Sequence, residues 1–190
     1  MLKCKVWEVN LTIVREFFEL HKFLVSSLRK EKGRRKSVFD LWVINTSPIK
    51  TTPNFFLDGY SVQGIRYGLV KVLGWHGEVF TPSLIRRVED LGNLGELGEA
   101  EREAIKRKKD FSRILVLSRL PTSSKLREEV KRILKKQGID HVLTFDYILW
   151  AIIEKLEKNE NYSSSLLEIL RVLKAYNMIK NPQLEFPTNY

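Results

Sequence analysis

Val70-Lys71-Val72-Leu73-Gly74-Trp75-His76 is an apolar run that stops abruptly at a glycine and a tryptophan. β-Branched residues fill it and turn formers bound it, so it reads as a buried strand. Phe39-Asp40-Leu41-Trp42-Val43-Ile44 reads the same way and is its expected neighbour. Each run carries one charge in its middle, Lys71 in the first and Asp40 in the second. A charge in a central strand is costly unless it is paired or used, and the reading of the whole chain turns on which of the two applies.

Working back towards the N-terminus, Leu11, Ile13, Val14, Phe17, Phe18 and Leu20 predict a helix over residues 10–22 with a wide apolar face. Glu16 and Glu19 sit one turn apart on it, for which two solvated carboxylates is the ordinary reading. A strand over residues 23–28 follows. Arg29, Lys30, Lys32, Arg34, Arg35 and Lys36 then gather around Gly33, between two strand-like segments, as a hairpin tip would. Such a tip is either a solvated charged turn or an attractor of phosphate. The strand of Asp40 spans residues 37–45 and is ended by Pro48. Residues 49–64, with Phe55, Phe56 and Tyr60, have no period and read as an irregular loop. Its aromatics could stack on bases, although packing is their more ordinary use.

Beyond the strand over residues 65–75, Thr81 and Pro82 have the chemistry of an N-cap and a first helical residue, so a helix is expected from there to about Leu91. A second basic cluster, Lys106, Arg107, Lys108 and Lys109 with Arg102 before it, lies on an expected exposed helix over residues 99–109. Ile114 to Ser118 is short and wholly apolar, as a strand covered on both faces would be. A helix over 125–136, a strand over 141–145 and a helix over 146–157 complete a parallel strand pair with a right-handed crossover. Ser165 and Glu168 have capping-box spacing. The helix from Leu166 to Met178 carries an apolar surface broad enough to cover the sheet or to meet a second subunit.

The chain has 190 residues, 43% of them apolar, and is expected to form one domain with a helical extension over about 160–180. No apolar run approaches the roughly 20 residues of a membrane span, and Met1-Leu2-Lys3-Cys4-Lys5 lacks an apolar signal region, so a cytoplasmic protein is expected. Cys4 is the one cysteine and the three histidines are scattered at 21, 76 and 141, which argues against a disulfide or a cysteine- or histidine-based zinc site. Abundant Lys and Glu with only three Gln fits a thermophilic composition. A formal charge of +10 favours a polyanionic partner, nucleic acid before a membrane surface.

A first helix, three largely antiparallel strands, then helices alternating with two further strands is an α/β core. In such a core two carboxylates on neighbouring strands can hold Mg²⁺. A lysine two residues beyond the second shares its face and can polarise water. Here the chain resembles the restriction-endonuclease-like, or PD-(D/E)xK, nuclease superfamily, over residues 11–156. The resemblance is carried by Glu16 and Glu19, by Phe39-Asp40-Leu41-Trp42-Val43, by the strand end from Lys71 to His76, and by Leu115-Val116-Leu117 and His141-Val142-Leu143-Thr144-Phe145. Gly74-Trp75-His76 followed by Phe80-Thr81-Pro82-Ser83 looks like a group of uncharacterised archaeal and bacterial proteins with this core. The resemblance implies a central mixed β-sheet flanked by helices.

It also implies a site that this chain departs from. Asp40 falls at the first metal-binding carboxylate, but Lys71 stands at the second and Leu73 at the lysine position. The expectation is an ion pair between Asp40 and Lys71 in place of a metal, with Glu16 and Glu19 beside a degenerate site and no cofactor. The chain would then bind nucleic acid, DNA before RNA, through its two basic clusters. Two alternatives stay open. One is an active Mg²⁺-dependent nuclease whose site has migrated to Asp40 and Glu78, with Asp58 or His76 as further ligands. The other is a non-catalytic assembly subunit that forms a homodimer through its C-terminal helix.

Overall fold

The computed structural model describes residues 8–28, 37–92, 94–95, 97–106 and 110–179. The elements are α1 (Glu8–Leu20), β1 (Phe23–Ser27), β2 (Leu41–Asn45), β3 (Tyr67–Val72), α2 (Pro82–Ile85), α3 (Glu99–Ala104), β4 (Ser112–Leu117), α4 (Ser124–Lys136), β5 (His141–Thr144), α5 (Phe145–Lys155) and α6 (Ser165–Ala175). The five strands form one sheet in the order β1-β2-β3-β4-β5. β1, β2 and β3 make an antiparallel meander, and β4 and β5 add to β3 in parallel. The molecule is thus an α/β protein with a mixed five-stranded sheet flanked by helices.

Alternation along the strands decides which helices each face meets. Val70 and Val72 of β3, with Ile114 and Val116 of β4, pack against Ile13, Val14, Phe17 and Phe18 of α1 and Ile148 and Ile152 of α5. Leu69, Leu73, Leu115 and Leu117 face the other way, onto Phe80, Ile85, Val130 and Leu134 of the layer that contains α2 and α4. Both faces of β3 and β4 are therefore covered, which is why their sequences show no polar alternation. The outer edge of β5 is also occupied. Val142 N–H donates to Phe55 O at 2.7 Å and Leu57 N–H donates to Val142 O at 2.8 Å. Phe55 and Phe56 meet edge to face at 5.0 Å, so these two aromatics pack against the sheet.

Several boundaries differ from the sequence expectation. Asp40 precedes β2 and Lys71 is next to last in β3, so both charges stand at strand ends. Thr81 does cap α2, accepting from Leu84 N–H behind Pro82, but α2 stops at Ile85 and a separate 3₁₀ turn covers Glu89–Leu91. α3 ends at Ala104, short of residue 109. The expected capping box of α6 is absent. Ser164, one residue earlier than expected, occupies the cap position without a side-chain bond, and the Glu168 carboxylate is held by Arg171 Nε at 3.0 and 3.1 Å. The expected hairpin tip at Arg29, Lys30, Lys32, Arg34, Arg35 and Lys36, and the cations Arg107, Lys108 and Lys109, lie outside the described residues. Among the described residues no helix is long and apolar enough to cross a membrane.

Candidate functional site: a strand-end ion pair

The β2–β3 register sets Leu41 opposite Val70, so one step on, Asp40 faces Lys71 and Phe39 would face Val72. Instead the chain bends. Asp40 N–H donates to Val70 O at 2.8 Å, and the Val72 N–H is taken by Asp40 Oδ2 at 2.8 Å. A side-chain carboxylate thus supplies the acceptor that the backbone of Phe39 would have supplied in an unbroken ladder. Leu28 N–H also donates to Asp40 O at 2.9 Å, which fixes Asp40 between β1 and β3.

Lys71 Nζ stands 3.7 Å from Asp40 Oδ2, with the two side chains 12% and 3% exposed. At that separation the contact is chiefly Coulombic, and burial makes each charge dependent on the other. Leu73, at the position where the family pattern has its lysine, is fully buried in the core layer beneath β3. An ammonium at the second carboxylate position repels a divalent cation, and an aliphatic core residue cannot polarise water. The residues present therefore do not fit the metal centre of the pattern, and no catalytic step follows from them.

Glu16 is buried on α1, but α1 covers the face of Val70 and Val72, whereas alternation puts Lys71 with Leu69 and Leu73 on the opposite one. Glu19 is half exposed beside Arg15 at 3.7 Å, and its carboxyl is raised by burial and by neighbouring Glu16, against the pull of Arg15. Glu16 and Glu19 come together, but not with the ion pair. Asp58 is spent on its own turn, its Oδ1 accepting from Tyr60 N–H at 2.9 Å and Ser61 N–H at 2.7 Å. The Glu78 side chain is exposed. Among the described residues no three His, Cys, Asp or Glu side chains come together as a metal site would require.

His76 is held by packing. Its Nε2 is 2.8 Å from Asn10 Oδ1, and its ring meets Phe145 edge-on at 4.6 Å. Gly74 explains why Asn10 fits. A Cβ on Gly74 would lie 1.7 Å from Asn10 Nδ2, so any side chain there would push the Asn10 amide out of its place beside His76. Gly74 and His76 together therefore hold the Asn10 side chain of α1 at the strand end.

One residue that sequence reasoning missed is Glu101. It is fully buried, and its Oε1 accepts from Ser37 Oγ at 2.5 Å, Val38 N–H at 2.6 Å and Phe39 N–H at 2.9 Å. Those hydrogen bonds hold its carboxyl below the usual range even though burial, the largest influence, pushes it up. Glu101 thereby clamps the three residues that lead into Asp40. No sequence signal marks it, since it sits in a run of exposed charges.

Family models, curated proteins and solved structures were compared with the chain, and none matches. Fold and site together define an α/β protein whose mixed sheet carries a buried Asp–Lys pair at the β2–β3 strand end.

Proposed function

We propose that this protein binds nucleic acid, DNA in preference to RNA, on a restriction-endonuclease-like core in which an ion pair has replaced the metal site. The observation that carries the reading is the Lys71 ammonium 3.7 Å from Asp40, at the place where the family pattern would put two carboxylates. The meander β1-β2-β3 followed by parallel β4 and β5 suits such a core, and the charge of +10 suits a phosphate-rich partner. The expected phosphate contacts are Arg29, Lys30, Lys32, Arg34, Arg35, Lys36, Lys106, Arg107, Lys108 and Lys109.

If six or more of these meet phosphates, affinity for duplex DNA falls about 10³-fold between roughly 50 and 200 mM salt, read by fluorescence anisotropy. Absence of binding at the low-salt end overturns the reading. Single-stranded, duplex and branched DNA are expected to stay intact with Mg²⁺ or Mn²⁺. Cleavage that disappears in Asp40→Ala would establish the alternative, a Mg²⁺-dependent nuclease using Asp40 and Glu78.

A second reading, an assembly subunit, is favoured by α6. Ile169 is 59% exposed and Tyr176 77% exposed, with Val172 between them on one stripe and Met178 just beyond. On this reading the stripe joins two copies. Light scattering at high concentration shows a dimer that Ile169→Asp dissociates, and a strict monomer rules the reading out.

A further inference from the structure

Arg15, Lys71, Arg86, Lys106, Lys131 and Arg171 each meet a carboxylate. Where β3 and β4 begin, the pattern changes and cations sit on aromatic rings instead. Arg66 lies over the Tyr67 ring at 5.8 Å, Arg113 over the Phe111 ring at 5.3 Å and Lys135 over the Phe55 ring at 5.7 Å. Among the described residues no carboxylate pairs with any of these three side chains. Arg66 and Lys135 are exposed, while Arg113 and the three rings are half-buried. The register brings the pairs to one end of the sheet. Gly68 lies opposite Ser112, so Tyr67 stands beside Phe111, and both pack on the side of the sheet that α4 covers. The Arg113 amide donates to Asp140 Oδ2 at 2.7 Å and its carbonyl accepts from Asp140 N–H at 3.0 Å. That ties β4 to the turn leaving α4, the helix that carries Lys135. Phe55 lines the far side of β5 through Val142. From β3 to the Phe55 segment is three strand spacings, about 14 Å across the sheet. Trp42 stacks on Tyr67 with the two planes 2° apart, so Arg66 is the exposed member of a stack of three flat groups. Arg113 Nε is buried without a hydrogen-bond partner. The acidic groups nearby are Asp110, exposed, and Asp140, one oxygen of which is spent on the Arg113 amide.

We infer that this end of the sheet binds an unpaired nucleic-acid strand, its cations meeting phosphates and its guanidinium planes stacking on bases. The inference rests on the nucleic-acid reading above and adds to it a surface of its own and the form of nucleic acid held there. A cation paired with a carboxylate has little charge left for a phosphate. One seated on a ring is held in place with its positive charge uncompensated. A duplex keeps its base faces stacked inside, so it offers this surface phosphates alone. An unpaired strand alternates phosphates with open base faces, and flat groups interleaved with charge match that alternation. The row is as long as about four stacked nucleotides.

The test uses the full chain and fluorescence anisotropy with three labelled probes: oligothymidine of about 10 nucleotides, oligouridine of the same length, and a DNA duplex of about 10 base pairs. Arg66 and Lys135 are both exposed, so variants there keep the fold. Arg66→Gln combined with Lys135→Gln lowers the slope of log affinity against log salt by about 1.4 on oligothymidine, and leaves duplex binding unchanged. Arg66→Lys keeps the charge and loses the plane. It retains the slope and weakens oligothymidine binding about 10-fold. An unchanged slope in the double variant, or equal losses on strand and duplex, overturns the inference while the nucleic-acid reading stands. Full oligothymidine affinity in Arg66→Lys removes the base stacking and overturns it too. Tighter binding of oligouridine keeps the surface and overturns the preference for DNA. If the wild-type chain binds no probe at low salt, both the inference and the nucleic-acid reading fail.

Discussion

Asp40→Ala is expected to destabilise the protein by about 3–5 kcal/mol, measured by urea unfolding. Two losses add up in it. The Lys71 ammonium, 12% exposed, is left without its counter-charge, and the Val72 N–H loses the Oδ2 that replaces its ladder partner. Lys71→Met removes a counter-charge of the Asp40 carboxylate, and a loss of the same sign but smaller size is expected, because the Val72 amide still supports the carboxylate. The double variant Asp40→Asn with Lys71→Met separates charge from geometry. The introduced side-chain amide still offers an oxygen to the Val72 N–H, and the methionine stem fills the space of the lysine stem. Because a buried pair recovers little more than its desolvation cost, this double variant is expected within about 1 kcal/mol of the wild type. With Asp40→Asn measured alone as the matching single variant, the coupling between the sites would then be large and opposite in sign to the single losses. Additive single effects would show that Asp40 and Lys71 act independently, and the ion-pair account of the site would fall.

The same residues show how far sequence alone reached. The apolar runs of β3 and β4 were legible because a strand covered on both faces must be apolar throughout, and the strand–helix–strand spacing from β4 to β5 fixed a parallel pair. The Asp40–Lys71 contact was legible too, because one charge in each of two neighbouring strands leaves few other solutions. Its position at the strand ends was not, since the bend at residues 38–40 is imposed from α3. Glu101 lies 62–64 residues away from the donors it holds, and nothing local distinguishes it from the exposed glutamates on either side. α2 and α3 came out shorter than expected because their boundaries depend on what each turn packs against. Glu16 was misplaced relative to the pair for a related reason: helical spacing gives a residue's face on its own helix, and only the sheet's two layers decide which strand face that helix covers.

His21 was passed over as one of three scattered histidines, yet acidification should act through it strongly. It is 2% exposed, its ring lies 4.3 Å from that of Phe17, and its Nδ1 donates to Phe17 O at 2.7 Å in the neutral form. Burial pushes its pKa down to about 4, with Lys155 adding slightly and the Phe17 carbonyl opposing. In the unfolded chain the same imidazole titrates near 6.5. Between those values the unfolded state binds the extra proton, so stability must fall as pH drops through this window. At about 1.4 kcal/mol per unit, the loss accumulates to about 3 kcal/mol by pH 4. His141 is shifted in the same direction by burial, so a shallower slope of the same sign persists when His21 is removed. Glu101, held low in the fold, gives stability that is intact above its ordinary value of 4.5 and is lost only as pH falls below it. Urea unfolding from pH 7 to pH 4 should therefore show His21→Gln losing much less stability than the wild type. The imidazole itself, followed by NMR, should remain neutral well below pH 6. Parallel stability curves for the two proteins would mean that His21 is solvated in the fold, and the packing of α1 against α5 around it would need a different explanation.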